Sequence, residues 1–177
     1  MSILVVFAGL PGTGKTTLCR LLKKKIDCEF FDSDEYAMKS KHFKMGSKEL
    51  SEKELNKGRL EFYDKKLNEV RKLMSKNKIV IMDAVFDKEK LRNKFYKMIK
   101  EVGGELIIVK VTAPEKIIRE RIQKDNSKRR PGFTKESRLR IYEIMKKGWE
   151  PIKKDHIVID SSKDINEQLD ELIKIIK

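Results

Sequence analysis

Short, continuous apolar runs alternate along the chain with longer segments in which apolar residues recur every three or four positions. The first run, residues 3–8, has no polar position, which is typical of a parallel strand buried on both faces. The longer segments have the spacing of amphipathic helices. The pattern predicts strands at residues 3–8, 28–31, 78–82, 106–111 and 157–159. It predicts helices at residues 15–25, 47–74, 88–100, 114–123 and 165–176, with an interruption of the second near Gly58.

This strict alternation predicts an α/β fold in which a five-stranded parallel sheet lies between two layers of helices, a three-layer sandwich. The length fits a single domain over residues 1–177. Ligands of such sheets bind outside the carboxyl ends of the strands. Residues 33–46 and 125–134 do not fit the alternation. We expect both to be loops over the binding site, the second a short lid.

The loop after the first strand has a specific chemical pattern. Residues 9–16 read Gly-Leu-Pro-Gly-Thr-Gly-Lys-Thr, which satisfies the Walker A spacing of a P-loop NTPase between a predicted strand and a predicted helix. Lys15 would neutralise the outer phosphates of ATP, and the hydroxyl of Thr16 would bind Mg²⁺. A chance glycine turn is the alternative, and the strand-loop-helix context disfavours it. The predicted ATP-binding residues are Gly9, Pro11, Gly12, Thr13, Gly14, Lys15, Thr16 and Thr17.

Acidic residues follow the second and third strands. Asp34 is the candidate general base that would orient an acceptor hydroxyl and take its proton, with Asp32 as the second candidate. The alternative is that one of the two only caps the next helix. Tyr36 is a candidate acceptor contact. Asp83 ends the third predicted strand, where it would either hold a Mg²⁺-bound water or help to position the acceptor.

Positive charge is concentrated in one part of the chain. The net charge is +14, and residues 119–154 contain thirteen Lys or Arg against five Asp or Glu. Within the predicted lid, Lys128, Arg129 and Arg130 are candidates for binding phosphoryl oxygens, although such clusters are often only solvated charge. Arg119 and Arg121, just before the lid, would stack on a base or pair with neighbouring glutamates. A basic region of this kind suits a polyanionic partner such as nucleic acid.

Composition excludes several other classes of protein. No segment has the roughly 18 consecutive apolar residues of a membrane span, and the amino-terminal residues lack the pattern of a secretory signal. Cys19 and Cys28 form no metal-binding or disulfide motif. We therefore expect a cytoplasmic protein without a membrane partner. The oligomeric state is left open by the sequence.

These motifs together resemble the small P-loop kinases of the AAA-33, zeta-toxin-like and polynucleotide-kinase-like group. The resemblance extends over nearly the whole chain and is carried by residues 9–17, 33–36, 80–86 and 119–130. It implies a P-loop fold and an ATP- and Mg²⁺-dependent phosphotransferase. Similarity to the kinase domain of phage-type polynucleotide kinases includes an Asn-Ser-Lys-Arg lid motif, here residues 126–129.

By that resemblance, Asp34 would be the general base, Arg129 would contact the transferred phosphate and Lys15 would serve the donor. The sequence departs from the polynucleotide kinases at Ala37, where they have an arginine directly after the tyrosine. This departure concerns the acceptor, since the donor motif is intact.

The sequence therefore predicts a kinase that transfers the γ-phosphate of ATP to a hydroxyl. The basic region slightly favours a 5′-hydroxyl of nucleic acid as acceptor. A nucleoside, a nucleotide or another small metabolite is the main alternative. A different class of protein, a nucleotide-dependent switch or hydrolase in which Asp34 orients water, is also compatible with these motifs.

Overall fold

The computed structural model of the chain describes residues 1–39, 51–125 and 134–177. Within them, one parallel sheet has the strand order β2-β3-β1-β4-β5. Its strands are β1 (Ile3–Ala8), β2 (Glu29–Phe31), β3 (Ile79–Ala84), β4 (Glu105–Thr112) and β5 (Ile157–Asp160). The predicted α/β fold with a five-stranded parallel sheet is confirmed.

Helices connect these strands and cover the sheet. They are α1 (Lys15–Lys25), α2 (Ser33–Lys39), α3 (Glu52–Met74), α4 (Glu89–Glu101), α5 (Glu115–Lys124), α6 (Lys135–Lys147) and α7 (Ile165–Ile176). Among the residues described, no helix is both long enough and apolar enough to cross a membrane.

Alternate residues of the central strand β1 pack into two hydrophobic cores, one on each face of the sheet. Leu4 and Val6 pack on one side of the sheet, where the buried partners come from α3 and α4. Val5 and Phe7 pack on the opposite side against residues of α1 and α7. All four side chains are fully buried. This burial on both faces explains the uninterrupted apolar run. Because β1 is the central strand, its carboxyl end lies in the middle of the row of carboxyl ends where ligands of parallel sheets bind.

The helix α3 differs from its prediction. It begins after Ser51, whose side chain accepts a hydrogen bond from the backbone N–H of Glu54, while the Glu54 carboxylate accepts one from the Ser51 N–H. It then continues through Gly58 to Met74, so the predicted interruption is wrong. One glycine costs a helix only about 1 kcal/mol, which a 23-residue helix with a buried face tolerates. The predicted start near Ser47 lies outside the described residues.

Two more helices differ from the sequence-based expectation. The first seven residues of the segment predicted as a loop, Ser33–Lys39, form α2, and the rest of that segment lies outside the described residues. The helix α6 was not predicted at all. It begins after Thr134, whose hydroxyl accepts a hydrogen bond from the Ser137 N–H, and Tyr142 is its one fully buried residue. The thin apolar stripe of α6 explains why periodicity missed it.

Candidate active site

The loop between β1 and α1 has a backbone that only glycine allows at three places. Gly12 and Gly14 have φ angles of 82° and 90°, in the left-handed region that is unfavourable for residues with a side chain. At Gly9, a Cβ atom would lie 2.6 Å from the backbone oxygen of Val111 on β4. The loop therefore packs directly against the carboxyl end of β4 at Gly9, where there is no room for a side chain.

Hydrogen bonds within the loop close it around the carbonyl of Leu10. The hydroxyl of Thr13 and the amine of Lys15 both donate to this oxygen, at 2.8 and 2.9 Å. Gly14 occupies the N-cap of α1 without a capping side chain, and the first turn has no acidic residue. The first N–H groups of a helix lack intrahelical acceptors, so this end of α1 is suited to an anion.

Three segments meet at Asp83, which is buried and lies within β3 rather than after it. Its Oδ2 accepts a hydrogen bond from the Thr16 hydroxyl at 2.5 Å, and its Oδ1 accepts one from the Ser33 N–H at 3.1 Å. The Ser33 hydroxyl donates to the backbone oxygen of Asp83 at 2.5 Å. The structure thus brings together the two predicted Mg²⁺ residues, Thr16 from the first turn of α1 and Asp83 from β3.

The donor set at this point is suited to Mg²⁺. This ion prefers oxygen ligands and is usually held by one or two protein groups together with water and substrate phosphates. The hydroxyl of Thr16 and the carboxylate of Asp83 match that description. Within residues 1–39, 51–125 and 134–177, no cluster of three or more His, Cys, Asp or Glu side chains is suited to holding a metal ion by itself.

The two acidic candidates after β2 have different environments. Asp32 caps α2, because its Oδ1 accepts hydrogen bonds from the N–H groups of Asp34 and Glu35, both at 3.1 Å. Its Oδ2 lies 3.4 Å from Nη2 of Arg20 on α1. Asp34 lies in the first turn of α2, is half-buried and belongs to the same edge of the sheet as Asp83. The capping alternative left open by the sequence therefore applies to Asp32.

Tyr36, the candidate acceptor contact, is part of an aromatic contact between β2 and α3. Its ring centroid lies 5.1 Å from that of Phe31 and 5.7 Å from that of Phe62. Burial raises the pKa of the Tyr36 phenol, and the nearby Glu69 carboxylate adds to the effect. The phenol is therefore uncharged at neutral pH.

Sequence reasoning gave little weight to Arg121, which the structure places beside the phosphate loop. Its Nη1 donates to the Ser161 hydroxyl at 2.8 Å, and its Nη2 donates to the Ser161 backbone oxygen at 3.0 Å. A Cβ atom on Gly14 would lie 3.5 Å from both Arg121 Nη1 and Ser161 Oγ. One signal in the sequence could have indicated this contact: Ser161 directly follows β5, so it lies at the carboxyl ends of the strands, on the same side of the sheet as the phosphate loop.

The structure describes only some of the other basic residues predicted near the site. Arg119 forms ion pairs with Glu115 on its own helix and with Glu143 on α6. Of its two predicted roles, stacking on a base or pairing with glutamates, the structure shows the second. Arg129 and Arg130 lie outside the described residues, as does most of the predicted lid. Their roles stay predictions.

A parallel sheet with this strand order, and a glycine-rich loop leading from its central strand into α1, defines the α/β P-loop fold of the P-loop kinases. The chain belongs to the AAA_33 family, described as an AAA domain, whose model matches residues 4–142. No curated protein sequence matches the chain significantly.

Solved structures share this fold over nearly the whole chain. One is the Mycobacterium tuberculosis APS kinase CysC in complex with AMPPNP and APS, with 18% identity, a TM-score of 0.70 and coverage of 99% of this chain and 97% of that chain. A gluconokinase from Sinorhizobium meliloti 1021 has 17% identity, a TM-score of 0.63 and coverage of 99% and 90%. Chaetomium thermophilum Kti12 in complex with ADP-AlF3 has 16% identity, a TM-score of 0.67 and coverage of 98% and 99%.

Proposed function

We propose that the protein is an ATP- and Mg²⁺-dependent kinase that transfers the γ-phosphate to a hydroxyl acceptor. The observation that carries this proposal is the direct contact between Thr16 and Asp83 at the phosphate loop, with Asp34 at the same edge of the sheet. A loop built only for structure would not need a hydroxyl and a buried carboxylate paired there. The likeness to an APS kinase and a gluconokinase supports a small P-loop kinase.

The start of α1 and the carboxylate of Asp83 are proposed to bind the phosphates of ATP and its Mg²⁺. The N–H groups at the start of α1 bind the phosphates, and Lys15 exchanges its hydrogen bond with the Leu10 carbonyl for one with a phosphate oxygen. When bound, Mg²⁺ supplies charge neutralisation between the outer phosphates. Thr16 would then bind the ion through its hydroxyl, and Asp83 would hold the water around it.

Asp34 is the proposed general base. Asp32 caps α2 and contacts Arg20 on α1, which gives it a structural role at the start of that helix. The cap holds α2, and with it Asp34, in a fixed orientation at the end of β2. Arg129 is the proposed ligand of the transferred phosphate, and Tyr36 and Arg130 are proposed to line the acceptor side.

The acceptor proposal favours a nucleic-acid 5′-hydroxyl slightly, because residues 119–154, which include the predicted lid, are strongly basic. A nucleoside, a sugar or another small metabolite is the alternative, and the gluconokinase structure supports it. The likeness to Kti12 in complex with ADP-AlF3 supports a second candidate function, a nucleotide-dependent switch or hydrolase that has no phosphoryl acceptor other than water.

The test is transfer of label from γ-labelled ATP, with Mg²⁺, to a panel of 5′-hydroxyl RNA and DNA, nucleosides, nucleotides and sugars. Asp34→Asn should lower transfer by about 10² to 10⁴ while ATP still binds. Glu35→Gln is the matched control, because it removes one negative charge from the same helical turn. Release of free phosphate with no labelled acceptor would support the switch or hydrolase instead, and equal loss in both variants would remove Asp34 as the base.

A further inference from the structure

The outer face of α4 carries lysines that the proposed active site does not use. The exposed residues along this face are Lys90, Asn93, Lys97 and Lys100. Their spacing of three, four and three residues aligns them along one side of the helix. At about 1.5 Å per residue, they extend over about 15 Å. None of the four side chains is apolar or acidic, and the exposed Glu101 lies just past them.

The charge of these lysines is poorly neutralised by the protein itself. In the part of the chain that the structure describes, the ion pairs of α4 include neither Lys90 nor Lys100. Lys97 approaches Glu101 only to 4.0 Å, with 82% of its side chain exposed. On α1, by contrast, three of the exposed cations have acidic partners, in the pairs Arg20–Asp32, Lys23–Glu29 and Lys25–Asp170. The positive charge of α4 is therefore available to a partner.

Comparison with α7 shows that lysine is not spread evenly over the surface. The two helices have 13 and 12 residues, and each packs a buried stripe on one face of the sheet, α4 on one side and α7 on the other. Five Lys or Arg and two Glu lie on α4, whereas α7 has one Lys and three Asp or Glu. A lysine-rich composition alone would favour lysines on both helices. The positive face of α4 is therefore a local feature.

Residues 150–154, which follow α6, pack alongside α4 and widen this face. The Glu150 carboxylate accepts a hydrogen bond from the Glu89 N–H at 2.7 Å, at the start of the helix. Further along, Nζ of Lys154 lies 4.5 Å from the ring centroid of Tyr96. The exposed residues that this part of the chain adds are Lys153, Lys154 and Asp155. The α4 lysine row is the resulting set of Lys90, Lys97, Lys100, Lys153 and Lys154.

The row begins next to the phosphate loop. Only residues 85–88 separate β3 from α4, and the Val85 oxygen accepts a hydrogen bond from the Gly9 N–H at 3.2 Å. Asp87 is fully buried, pairs with Arg59 on α3, and accepts a hydrogen bond at its backbone oxygen from the Glu150 N–H at 2.9 Å. These contacts fix the start of α4 at the carboxyl edge of the sheet. Since α4 connects two parallel strands, it runs from that edge back towards the opposite one.

We propose that the α4 lysine row binds the phosphate backbone of a double-helical nucleic acid whose 5′-hydroxyl end is the acceptor at the active site. The inference rests on the proposed kinase function for the reaction at that end. A duplex carries one negative charge per about 1.7 Å of its axis, so about nine phosphates lie within the length of the row. A straight α-helix holds its lysines in a fixed line, which suits the regular backbone of a duplex.

Two other polyanionic partners fit this face less well. Proteins that bind single strands add exposed aromatic rings on which bases stack, but the ring beside the row, Tyr96, is half-buried with Lys154 over it. A helix that binds an anionic membrane inserts large apolar side chains beside its basic ones. The exposed residues of α4 include no apolar side chain, because its apolar stripe packs on the sheet. The pattern therefore favours contact with phosphates alone.

The experiment measures binding by fluorescence anisotropy, with AMPPNP and Mg²⁺, between about 50 and 200 mM salt. The probes are an RNA duplex of about 12 base pairs with 5′-hydroxyl ends, one of its strands alone, and phosphatidylserine vesicles. Lys90→Gln/Lys97→Gln/Lys100→Gln should weaken duplex binding by about 10-fold or more at the lowest salt, and should reduce the slope of log affinity against log salt by about 2–3. An unchanged slope, an equal loss for the single strand, or a loss for the vesicles alone overturns the proposal.

A matched variant separates the position of the lysines from their charge. Lys24→Gln/Lys174→Gln/Lys177→Gln removes the same number of exposed lysines from α1, α7 and the end of the chain. It should leave the salt slope nearly unchanged, because α1 and α7 cover the other face of the sheet. Glutamine is a good helix former, so both variants should fold, which circular dichroism verifies. An equal loss of duplex binding in both variants would mean that net charge is responsible, and would overturn the proposal.

Label transfer to the duplex keeps this inference distinct from the proposed function. In the α4 variant, KM for the duplex should rise by about 10-fold or more while kcat and transfer to a free nucleoside stay unchanged. Duplex binding that depends on the α4 lysine row, without any transfer, would contradict the kinase and leave the row as a nucleic-acid surface. Transfer with the same duplex KM in the variant and the wild type would support the kinase and overturn the role of the row.

Discussion

At the scale of single residues, the function of the site depends on hydrogen bonds that a nucleotide would rearrange. The amine of Lys15 donates to the Leu10 carbonyl, and the hydroxyl of Thr16 donates to Asp83. In the proposed kinase, phosphate oxygens would replace the Leu10 carbonyl as the partner of Lys15, and Mg²⁺ would replace the Thr16 proton as the partner of Asp83. The loop is thus pre-formed, which lowers the cost of ordering it on binding.

Lys15→Ala should reduce ATP turnover by about 10²-fold or more, because it removes the cation aimed at the outer phosphates. The fold should be retained, since the Lys15 amine donates to the Leu10 carbonyl of the adjoining loop and is not part of the hydrophobic core. Turnover and fluorescent-nucleotide binding, with circular dichroism as the check on folding, measure the effect. Lys24→Ala, on an exposed position of the same helix, is the control. Normal turnover in Lys15→Ala would contradict the donor-site assignment.

Gly12→Ala should impair nucleotide binding and stability together. Its φ of 82° is unfavourable for alanine, and the added Cβ atom would lie 3.0 Å from side-chain carbons of Ile118 and Ile122. Strain of this kind costs of order 1–3 kcal/mol. Gly103→Ala is an informative comparison, because it also has a positive φ but its Cβ atom would have open space. An equal effect of both variants on nucleotide binding would show that strain alone, and not loop packing, is responsible.

At the scale of secondary-structure elements, capping residues determine where the helices beside the site begin. Asp32→Ala should destabilise the protein by about 0.5–2 kcal/mol, since its carboxylate caps α2 through two N–H groups. Transfer should fall as well, because α2 carries Asp34. Chemical denaturation and the label-transfer assay measure the two effects. Stability equal to that of the wild type would remove the capping role.

The elements that the sequence predicted well are those whose apolar pattern is unambiguous. The continuous run of β1 and the glycine-rich loop after it define both the central strand and the phosphate site. The pattern failed for α6, where only Tyr142 is fully buried, and for the continuity of α3 through Gly58, where tertiary packing outweighs the local cost of glycine.

Contacts that join distant parts of the chain were harder to predict than the elements. Asp83 was expected at the end of β3 and near Mg²⁺, but its bond to Ser33 depends on how α2 packs on the strand edge. Asp87 gave no signal, because an aspartate shortly after a strand is common in turns. Its burial and its pairing with Arg59 become apparent only when α3 lies over that edge.

At the scale of the whole molecule, ion pairs hold α5 and α6 together next to the predicted lid. The Glu115 carboxylate accepts hydrogen bonds from Lys146 on α6 and Arg119 on its own helix, which lower its pKa below the ordinary value of 4.5. A lowered pKa stabilises the folded state above the unfolded pKa, and that contribution is lost as pH falls through the folded pKa. The basic region, residues 119–154, contains all of α6 and the second half of α5.

Glu115→Gln should therefore lower the melting temperature slightly at pH 7, with the difference from wild type shrinking as the pH falls below 4.5 and through the lowered pKa of the Glu115 carboxyl. Thermal unfolding between pH 3 and pH 7 at low salt measures it. Glu120→Gln, whose carboxylate lies on the same helix at 4.0 Å from Lys124, should have a smaller effect. A difference that persists unchanged at pH 3 would mean that packing, and not charge, is responsible.

The net charge of +14 makes salt the variable that separates the two acceptor classes. A nucleic acid contacted at several phosphates releases counterions on binding, so its affinity falls steeply with ionic strength, whereas a neutral sugar or nucleoside does not. KM for the acceptor should rise about 10-fold or more between 50 and 200 mM salt if a nucleic acid is phosphorylated at its 5′-hydroxyl. KM for ATP, measured in the same series, corrects for effects of salt on the donor site. A flat acceptor KM would favour a small metabolite, and the positive charge of residues 119–154 would then have no role in acceptor binding.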